Sequence, residues 1–452
     1  MNLKDIQQVY FVGIGGIGMS ALARYFHSRG VSVYGYDRTA TPLTQALEEA
    51  GMQIHYEERV DLIPKQLDLV VYTPAIPTNH LEMVYFRDQG IALKKRAEVL
   101  GIISQGMKTI GIAGTHGKTT TSTITTHLLR TGGVDCTAFL GGISTNYGSN
   151  FISGKSPWVV IEADEFDRSF LQLSPDLAGI LSMDADHLDI YGDHQSLLES
   201  GFKPFLQKLK PGGKAWVQHR FAHHFEAFPD MESFGVEGGT NQITGIHVED
   251  GYTCFAYQSP SHQIENLRFT MPGNHNAENA CLAISIALSL GVTEDAIREA
   301  LMSFRGIQRR FELIYRDDKI AAYDDYAHHP TELKAAIQAA RSLFPGKKIT
   351  GIFQPHLFSR TRDFADDFAA ALEGLDELLL LEIYPAREKP IPGVSSQMLL
   401  DRMEKHGGRV LQLEEALEVL KDRDLEVLLT LGAGDISTLV PKIQSLLNTV
   451  NT

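Results

Sequence analysis

The stretch of the chain that carries the most chemistry is a glycine-rich turn ending in a lysine. TIGIAGTHGKTTT places Gly114, Gly117, Lys118 and Thr119 directly after an apolar strand pattern. The backbone N–H groups of such a loop face phosphate, the lysine bridges the β- and γ-phosphates, and the threonine hydroxyl binds Mg²⁺. The strict P-loop pattern fails, because Ile112 stands where its first glycine belongs. The turn predicts a nucleotide site, and the alternative is a threonine-rich strand with a chance Gly-Lys pair.

Acidic residues follow the next apolar strand patterns. Glu162 ends the strand in WVVIEADE, and Asp186, His187 and Asp189 follow the strand after it in SMDADHLD. Ligands of α/β sheets bind at the carboxyl ends of the strands. Mg²⁺ prefers oxygen ligands, so Glu162 and Thr119 are predicted to bind it, while His187 is either a direct ligand or a support for one. The alternative is that these acidic strand ends are only solvated.

A second glycine-rich turn lies near the start of the chain. VYFVGIGGIGMS places the G-x-G-x-x-G pattern of Gly13, Gly15 and Gly18 between a strand and a helical run, and Asp37 ends the following strand. These glycines allow a tight turn and let the backbone approach a diphosphate at a helix N-terminus. Three interpretations stay open: NAD, a nucleotide-diphosphate sugar, or a tight turn without a ligand.

Further motifs with polar groups lie in the second half of the chain. PGNHNAENA precedes a predicted helix over 277–290, and its amides either bind an adenine edge or cap the helix. Arg310 in FRGIQRRF either faces solvent or reaches phosphates from a mobile domain. DDYAHHP and QPHLFSRTR bring more histidines and arginines after strand patterns, and GAGD near the end resembles another glycine turn.

Short apolar runs alternate with helical stretches, which predicts α/β units around mainly parallel sheets. The predicted strands are Val9–Val12, Val31–Tyr36, Leu69–Thr73, Thr109–Ala113, Trp158–Ile161, Leu177–Ser182, Ile349–Phe353, Leu378–Ile383 and Val427–Leu431. Residues 240–272 look strand-like without helical periodicity. Each glycine turn is expected to start its own nucleotide-type domain. A second boundary is expected near Arg305–Phe311, where FRGIQRRF follows a long helical pattern and precedes a new strand, so the predicted domains are 1–106, 107–310 and 311–452.

Composition narrows the functional classes. The 452 residues are 43% hydrophobic and 21% charged, which excludes a largely disordered chain. A net charge of −15 argues against a general nucleic-acid binder. Three widely spaced cysteines predict neither a disulfide framework nor a zinc site. No signal peptide or membrane-length apolar run is seen, so we expect a cytoplasmic protein without membrane insertion, as a monomer or homodimer.

The motifs become specific when they are taken together. GIGGIGMS, GTHGKTTT, EADE, ADHLD, PGNHNAENA, DDYAHHPTE, FQPHLFSRTRDF and LLTLGAGDIS occur in this order along the whole chain. The combination resembles the Mur ligases of peptidoglycan synthesis. That resemblance implies an α/β protein of three domains: an N-terminal Rossmann-like domain for a UDP-sugar, a central P-loop ATPase-type sheet, and a C-terminal Rossmann-like domain closing over the site. It favours UDP over NAD at the first glycine turn.

The resemblance also implies a reaction. ATP with Mg²⁺ would convert the lactyl carboxylate of UDP-N-acetylmuramate to an acyl phosphate, and the amine of L-alanine would displace phosphate from it. Positioning and charge stabilisation would carry such a reaction. Two alternatives stay open: ligation of a preformed tripeptide to the same sugar nucleotide, and an NAD-dependent oxidoreductase, which would leave Gly114–Thr121 unexplained.

By the same resemblance, residues fall into groups by their expected contacts. The expected catalytic residues are Lys118, His187, Arg310 and His328. The expected ATP contacts are Gly114, Thr115, His116, Gly117, Lys118, Thr119, Thr120, Asn274, His275, Asn276, Asn279 and Arg310. The expected UDP-sugar contacts are Gly13, Gly15, Gly16, Ile17, Gly18, Ser20 and Asp37. The amino-acid substrate would meet Tyr326, His328, His356 and Arg360, and the metal ion would meet Thr119, Glu162 and His187.

Overall fold

The computed structural model describes residues 3–184, 188–228, 230–386, 388–405 and 409–450. Three sheets follow one another along the chain, each combined with helices, and the α/β class expected from the sequence is confirmed. In the described part of the chain, no helix has the length and apolar character needed to cross a membrane.

The first sheet is entirely parallel and has the order β3-β2-β1-β4-β5. Its strands are β1 Gln8–Val12, β2 Ser32–Tyr36, β3 Gln53–His55, β4 Leu69–Tyr72 and β5 Leu93–Lys95. Its helices are α1 Ile17–His27, α2 Pro42–Glu49, α3 Leu81–Asp88 and α4 Arg96–Gly106. The strand order reverses at β1, and a reversal of this kind opens a crevice where α/β sheets bind ligands. The first glycine turn follows β1 directly.

The central sheet has the order β15-β14-β13-β12-β11-β10-β6-β9-β7-β8. Its strands are β6 Lys108–Ala113, β7 Thr137–Ser144, β8 Ser149–Ile152, β9 Trp158–Glu162, β10 Leu177–Ile180, β11 Lys214–Gln218, β12 Met231–Val236, β13 Asn241–Glu249, β14 Tyr252–Gln258 and β15 Gln263–Phe269. Its helices are α5 Lys118–Thr131, α6 Leu188–Tyr191, α7 His194–Leu197, α8 Lys203–Leu206, α9 Asn274–Ser289 and α10 Glu294–Ser303. Because β6 lies between β9 and β10 and is parallel to both, the segments following these strands meet at one edge.

Helix α5 forms although its threonine-rich sequence is a poor intrinsic helix former. Some of its hydroxyl groups donate to carbonyls one turn earlier: Ser122 Oγ to Lys118 O at 2.8 Å, and Thr126 Oγ1 to Ser122 O at 2.7 Å. Nearly the whole helix is buried. Tertiary packing therefore overrides propensity, although the buried hydroxyls of Thr121 and Thr125 have no hydrogen-bond partner, and the threonine-rich strand considered from the sequence does not occur.

The third sheet has the order β16-β17-β20-β18-β19, with only the β16–β17 pair antiparallel. Its strands are β16 Glu312–Arg316, β17 Ala321–Asp325, β18 Ile349–Phe353, β19 Glu377–Leu380 and β20 Val427–Leu431. Its helices are α11 Pro330–Leu343, α12 Phe358–Asp363, α13 Ala365–Leu372, α14 Gln397–Leu400, α15 Leu413–Lys421 and α16 Val440–Val450.

By its contacts the chain divides into two compact units. One consists of Met1–Gly245, Phe255–Leu267 and Glu278–Phe304, and the other of Ile246–Cys254, Arg268–Ala277 and Arg305–Thr452. Within the first unit, α1 packs on the central sheet: the Tyr25 ring lies 5.5 Å from that of Phe139 and 6.1 Å from that of Phe151. The helix after the first glycine turn is thereby anchored to the sheet that carries the second.

Candidate active site

The loop between β6 and α5 needs glycine at two positions. Gly114 and Gly117 have φ angles of +138° and +82°, which other residues rarely adopt. A Cβ on Gly114 would also lie 2.9 Å from Ser182 N, and one on Gly117 would lie 2.6 Å from Asn279 Oδ1. Asn279, expected from the sequence to contact a nucleotide, is thus placed beside this loop.

The same loop is tied to the segment after β10. Thr115 N donates to Ser182 O at 3.1 Å, and His116 N donates to Ser182 Oγ at 2.8 Å. Asp184 N donates to Thr115 Oγ1 at 3.0 Å. Ser182 was not assigned a role from the sequence, and its only sequence signal is its place at the end of a predicted strand.

Lys118 is held by the loop and by a buried carboxylate. Its Nζ donates to Gly114 O at 2.6 Å and lies 2.8 Å from Glu165 Oε2. Glu165 is fully buried, and the Lys118 side chain is 13% exposed. Burial alone would lower the pKa of Lys118, but the carboxylates of Glu165 and Asp164 outweigh it, so the pKa is raised. Lys118 therefore carries a fixed positive charge at the start of α5, where anions bind.

Two oxygen donors lie next to this charge. Thr119 Oγ1 donates to Glu162 Oε1 at 3.0 Å, and Gly141 N donates to Glu162 Oε2 at 2.8 Å. Burial raises the pKa of Glu162, although Lys118 opposes this effect. A hydroxyl and a carboxylate at a phosphate-type loop form a donor set that suits Mg²⁺, which binds few protein oxygens and keeps waters and phosphate oxygens. His187 and Asp186 lie outside the described residues.

The first glycine turn is built around an aspartate. Gly15 N donates to Asp37 Oδ2 at 2.8 Å, and Gly13 N donates to Tyr36 O at 2.8 Å. A Cβ on Gly15 would lie 2.8 Å from Asp37 Oδ2, and one on Gly18 would lie 2.8 Å from Arg96 Nη1. The turn and Asp37 are therefore brought together as the sequence pattern suggests.

The remaining residues of this turn lie on or next to α1. Gly16 precedes the first turn of the helix, and Ile17 is 39% exposed. Ser20 is fully buried; its Oγ donates to Ile17 O at 2.9 Å and accepts a hydrogen bond from Asn150 Nδ2 at 2.9 Å. In this structure Ser20 supports the turn from inside. Asn150, on β8, carried no signal in the sequence.

The amides at the start of α9 take different positions. Asn276 is buried, and its Nδ2 donates to Pro272 O at 2.7 Å, so this amide is bound to the turn before the helix. Asn274 and His275 are exposed in the first helical turn. This bond is not a helix cap, in which a side-chain oxygen accepts from a backbone N–H, and a ligand contact is compatible with the two exposed residues.

Arg310 stands in a segment held on both sides. Arg309 and Phe311 have φ of 61° and 49°, in the left-handed region that non-glycine residues rarely adopt. Arg309 Nη2 donates to Gly432 O at 2.6 Å, and Phe311 N donates to Asp325 Oδ2 at 2.7 Å. These bonds fix the backbone on either side of Arg310 to the third sheet.

The expected amino-acid contacts lie close together around β17 and β18. The ring of His328 lies 5.2 Å from that of Tyr326 and 6.0 Å from that of His356. Burial lowers the pKa of His328, and Arg360 and Arg310 lower it too, while Glu332 opposes them.

A hydrogen bond of His328 indicates which ring nitrogen carries the proton when the imidazole is neutral. His328 Nδ1 lies 2.9 Å from Tyr326 O, a carbonyl that can only accept, so Nδ1 carries the proton and Nε2 has the lone pair. Glu332, whose Oε2 lies 3.3 Å from His328 Nδ1, had no assigned role from the sequence, although it stands one helical turn after the histidine.

Three family models match successive parts of the chain. Residues 8–108 match the model described as Mur ligase family, catalytic domain, residues 112–287 match the Mur ligase middle domain, and residues 309–437 match the Mur ligase, glutamate ligase domain. The UDP-N-acetylmuramate–L-alanine ligase of Cytophaga hutchinsonii is 49% identical over 99% of this chain and 98% of its own length.

Solved structures agree on the fold. The UDP-N-acetylmuramate-alanine ligase of Thermotoga maritima matches with a TM-score of 0.85 and 29% identity, over 98% of this chain and 99% of that one. A murein peptide ligase of Psychrobacter arcticus matches with a TM-score of 0.73 over 98% of both chains; at 22% identity this likeness concerns the fold alone.

Proposed function

The chain belongs to the Mur ligase family, and from this premise we propose that it joins L-alanine to the lactyl carboxylate of UDP-N-acetylmuramate at the expense of ATP. The relatives named for this reaction are 44–49% identical to the chain over nearly its whole length. The observation that carries the proposal is Lys118 at the glycine loop, paired with the buried Glu165, with Thr119 and Glu162 beside it.

The reaction proceeds in two displacements. The lactyl carboxylate attacks the γ-phosphorus of ATP, and the bond from this phosphorus to the oxygen that bridges the β- and γ-phosphates breaks. The products are an acyl phosphate and ADP. The alanine amine then attacks the acyl carbon, a tetrahedral intermediate collapses, and phosphate departs. Neither step needs a covalent bond to the protein, so orientation and charge stabilisation supply the catalysis.

We assign the phosphate contacts to the loop of Gly114–Thr120. Lys118 neutralises charge on the transferred phosphoryl group, and Asn279 lines the loop. Thr119 and Glu162 would hold Mg²⁺, with His187 as the family's further ligand, and the bound ion would supply charge neutralisation at the phosphates. Arg310 adds a second positive charge, which fits its fixed backbone. Asn274 and His275 are assigned to the adenine side of ATP.

We assign proton transfer to His328. Alanine arrives as an ammonium ion and must lose a proton before it attacks. The lowered pKa of His328 keeps the imidazole neutral, and its Nε2 lone pair accepts that proton. Tyr326, His356 and Arg360 surround the same position and would hold the carboxylate and methyl group of alanine.

The first glycine turn is assigned to the UDP-sugar. Gly13, Gly15, Gly16, Ile17 and Gly18 would line the diphosphate site, and Asp37, which accepts the hydrogen bond of the Gly15 amide, would bind a ribose hydroxyl. The three domains at 1–106, 107–310 and 311–452, a C-terminal domain that closes over bound substrates, and a cytoplasmic location belong to the same proposal.

The test is phosphate release by the purified chain. We expect release only when ATP, Mg²⁺, UDP-N-acetylmuramate and L-alanine are all present. Release with the tripeptide L-Ala-γ-D-Glu-meso-diaminopimelate instead of L-alanine would assign the chain to the tripeptide-adding ligases. Binding of NADH in competition with UDP, without phosphate release in any combination, would revive the oxidoreductase.

A further inference from the structure

A tight hairpin of the central sheet carries histidine, glutamate and cysteine on one side. β13 ends at Glu249 and β14 begins at Tyr252, so two residues connect them. These residues, Asp250 and Gly251, have φ angles of 51° and 81°. Positive φ at both central residues is typical of a type I′ turn, whose twist matches that of the flanking strands. The hairpin is therefore a well-defined frame for side chains.

The turn sets which side chains meet. With Glu249 opposite Tyr252, His247 stands opposite Cys254, and Glu249 shares the face of His247 because it is two residues along the strand. The donor atoms of His247, Glu249 and Cys254 all lie within 4.8 Å of one another. His247 and Glu249 are exposed, so an ion can reach the cluster from solvent. Cys254 is only 4% exposed and forms the buried side of the cluster.

We propose that His247, Glu249 and Cys254 bind a zinc ion, with water as the fourth ligand. Imidazole nitrogen, carboxylate oxygen and thiolate sulfur are the ligand types that zinc takes in proteins. Mg²⁺ requires oxygen ligands, so this cluster selects against the ion of the phosphate loop. The spacing of the cysteines predicts no zinc site, because two of these ligands are not cysteines and the hairpin supplies their arrangement.

A neighbouring arginine sets the strength of binding. Arg268 Nη2 lies 2.8 Å from Asp250 Oδ2 and 3.5 Å from Glu249 Oε2. Its guanidinium also lies 5.1 Å from the centre of the Tyr252 ring. Zinc must take Glu249 from this cation, whereas Asp250 can remain its partner. Removing Arg268 is therefore expected to strengthen zinc binding, which a merely structural cluster would not predict.

The experiment is a Co²⁺ titration of the full chain, stripped with chelator, followed by displacement with Zn²⁺. Co²⁺ bound to thiolate gives a sulfur-to-metal charge-transfer band, which cobalt held only by oxygen at the phosphate loop does not give. We expect one equivalent of this band, its loss on adding Zn²⁺, and its persistence in excess Mg²⁺. Cys254→Ser should abolish the band, and Cys136 and Cys281 should not replace it because both are completely buried.

Variants on the surface keep the test independent of folding. His247→Gln should weaken Zn²⁺ binding by more than about tenfold, since loss of an outer partner alone has an effect of that size. His262→Gln on the next turn is the matched control and should leave it unchanged, and Arg268→Gln should tighten it. Ligase activity should stay at the wild-type level in all three. A band absent from the wild type, unchanged in Cys254→Ser, or insensitive to His247→Gln would overturn the proposal.

Discussion

Replacing Lys118 by methionine removes the ammonium group and keeps an unbranched side chain that is one atom shorter. The pair of Lys118 with Glu165 is buried, with side chains 13% and 0% exposed and a 2.8 Å separation. Breaking a buried pair costs about 3–5 kcal/mol, against about 0–1 kcal/mol for an exposed pair. The hydrogen bond to Gly114 O adds about 1 kcal/mol. We therefore expect Lys118→Met to lose about 4–6 kcal/mol of unfolding free energy.

Glu165→Gln in the same chain separates stability from catalysis. Glutamine keeps the shape of Glu165 and removes the buried charge, so the double variant should regain about 2 kcal/mol, within the usual range of about 0.5–3 kcal/mol for contacting residues. It should regain no ligase activity, because the ammonium group of the loop is still missing; loss of one such donor costs about 10²–10³ in kcat.

Urea unfolding measures the stability of the two single variants and the double variant, and phosphate release measures their activity. Each quantity tests a different statement. If Lys118→Met is as stable as the wild type, the ion pair does not support the fold. If either variant lacking Lys118 keeps wild-type turnover, its phosphate role is refuted.

Three further predictions concern the loop, the metal donors and a buried carboxyl. Gly117→Ala should raise the KM for ATP about tenfold or more, because its methyl group would lie 2.6 Å from Asn279 Oδ1. The control is Gly133→Ala, which has a similar φ of +85° and open space around it and should only lower the unfolding free energy by about 1 kcal/mol. Because the pKa of Glu162 is raised, the Mg²⁺ concentration for half-maximal activity should rise as pH falls, beginning at a higher pH than for an ordinary carboxyl. Glu162→Gln should weaken Mg²⁺ binding, so that more Mg²⁺ is needed at every pH, and should remove this dependence on pH. Burial raises the pKa of Glu82 to about 7 from 4.5, so the native state favours its protonated form. In urea unfolding, the wild type should lose stability relative to Glu82→Gln, whose amide can still accept from Tyr10 OH, as pH rises from about 4.5 to 7, with no further loss above pH 7. A stability difference that does not change with pH would refute this.

Buried strands with a strong local pattern could be predicted from the sequence, and elements fixed by distant contacts could not. β1, β6 and β18 are apolar runs next to turn residues, and all were expected. β3 and β5 have only three residues each, and their side chains are exposed or half-buried, so their pattern is too short and too weak to detect. Residues 240–272 were expected to be strand-like, and β13, β14 and β15 confirm this.

Site residues follow the same division. Lys118, Thr119 and Glu162 could be found because each stands at the end of a strand or in a glycine turn, and the structure brings them together. Glu165 and Ser182 lie in the same strand-end segments, but only the neighbouring order of β9, β6 and β10 shows that they meet the loop. Their partners are distant in sequence, so no local spacing signals the contact.

Each glycine turn holds a carboxylate where phosphate would otherwise bind, yet the consequences differ. Glu165 is fully buried and cannot withdraw from Lys118, but an ammonium group has three hydrogens, so Lys118 can keep Glu165 and direct another donor to phosphate. The amide of Gly15 has a single hydrogen, which Asp37 Oδ2 accepts at 2.8 Å. A diphosphate that took this amide would have to displace a group of its own charge. We therefore expect the diphosphate to use the other amides of the turn and to leave Asp37 in place for a sugar hydroxyl. In competition binding, Asp37→Asn should weaken the binding of UDP-N-acetylmuramate more than the binding of inorganic diphosphate.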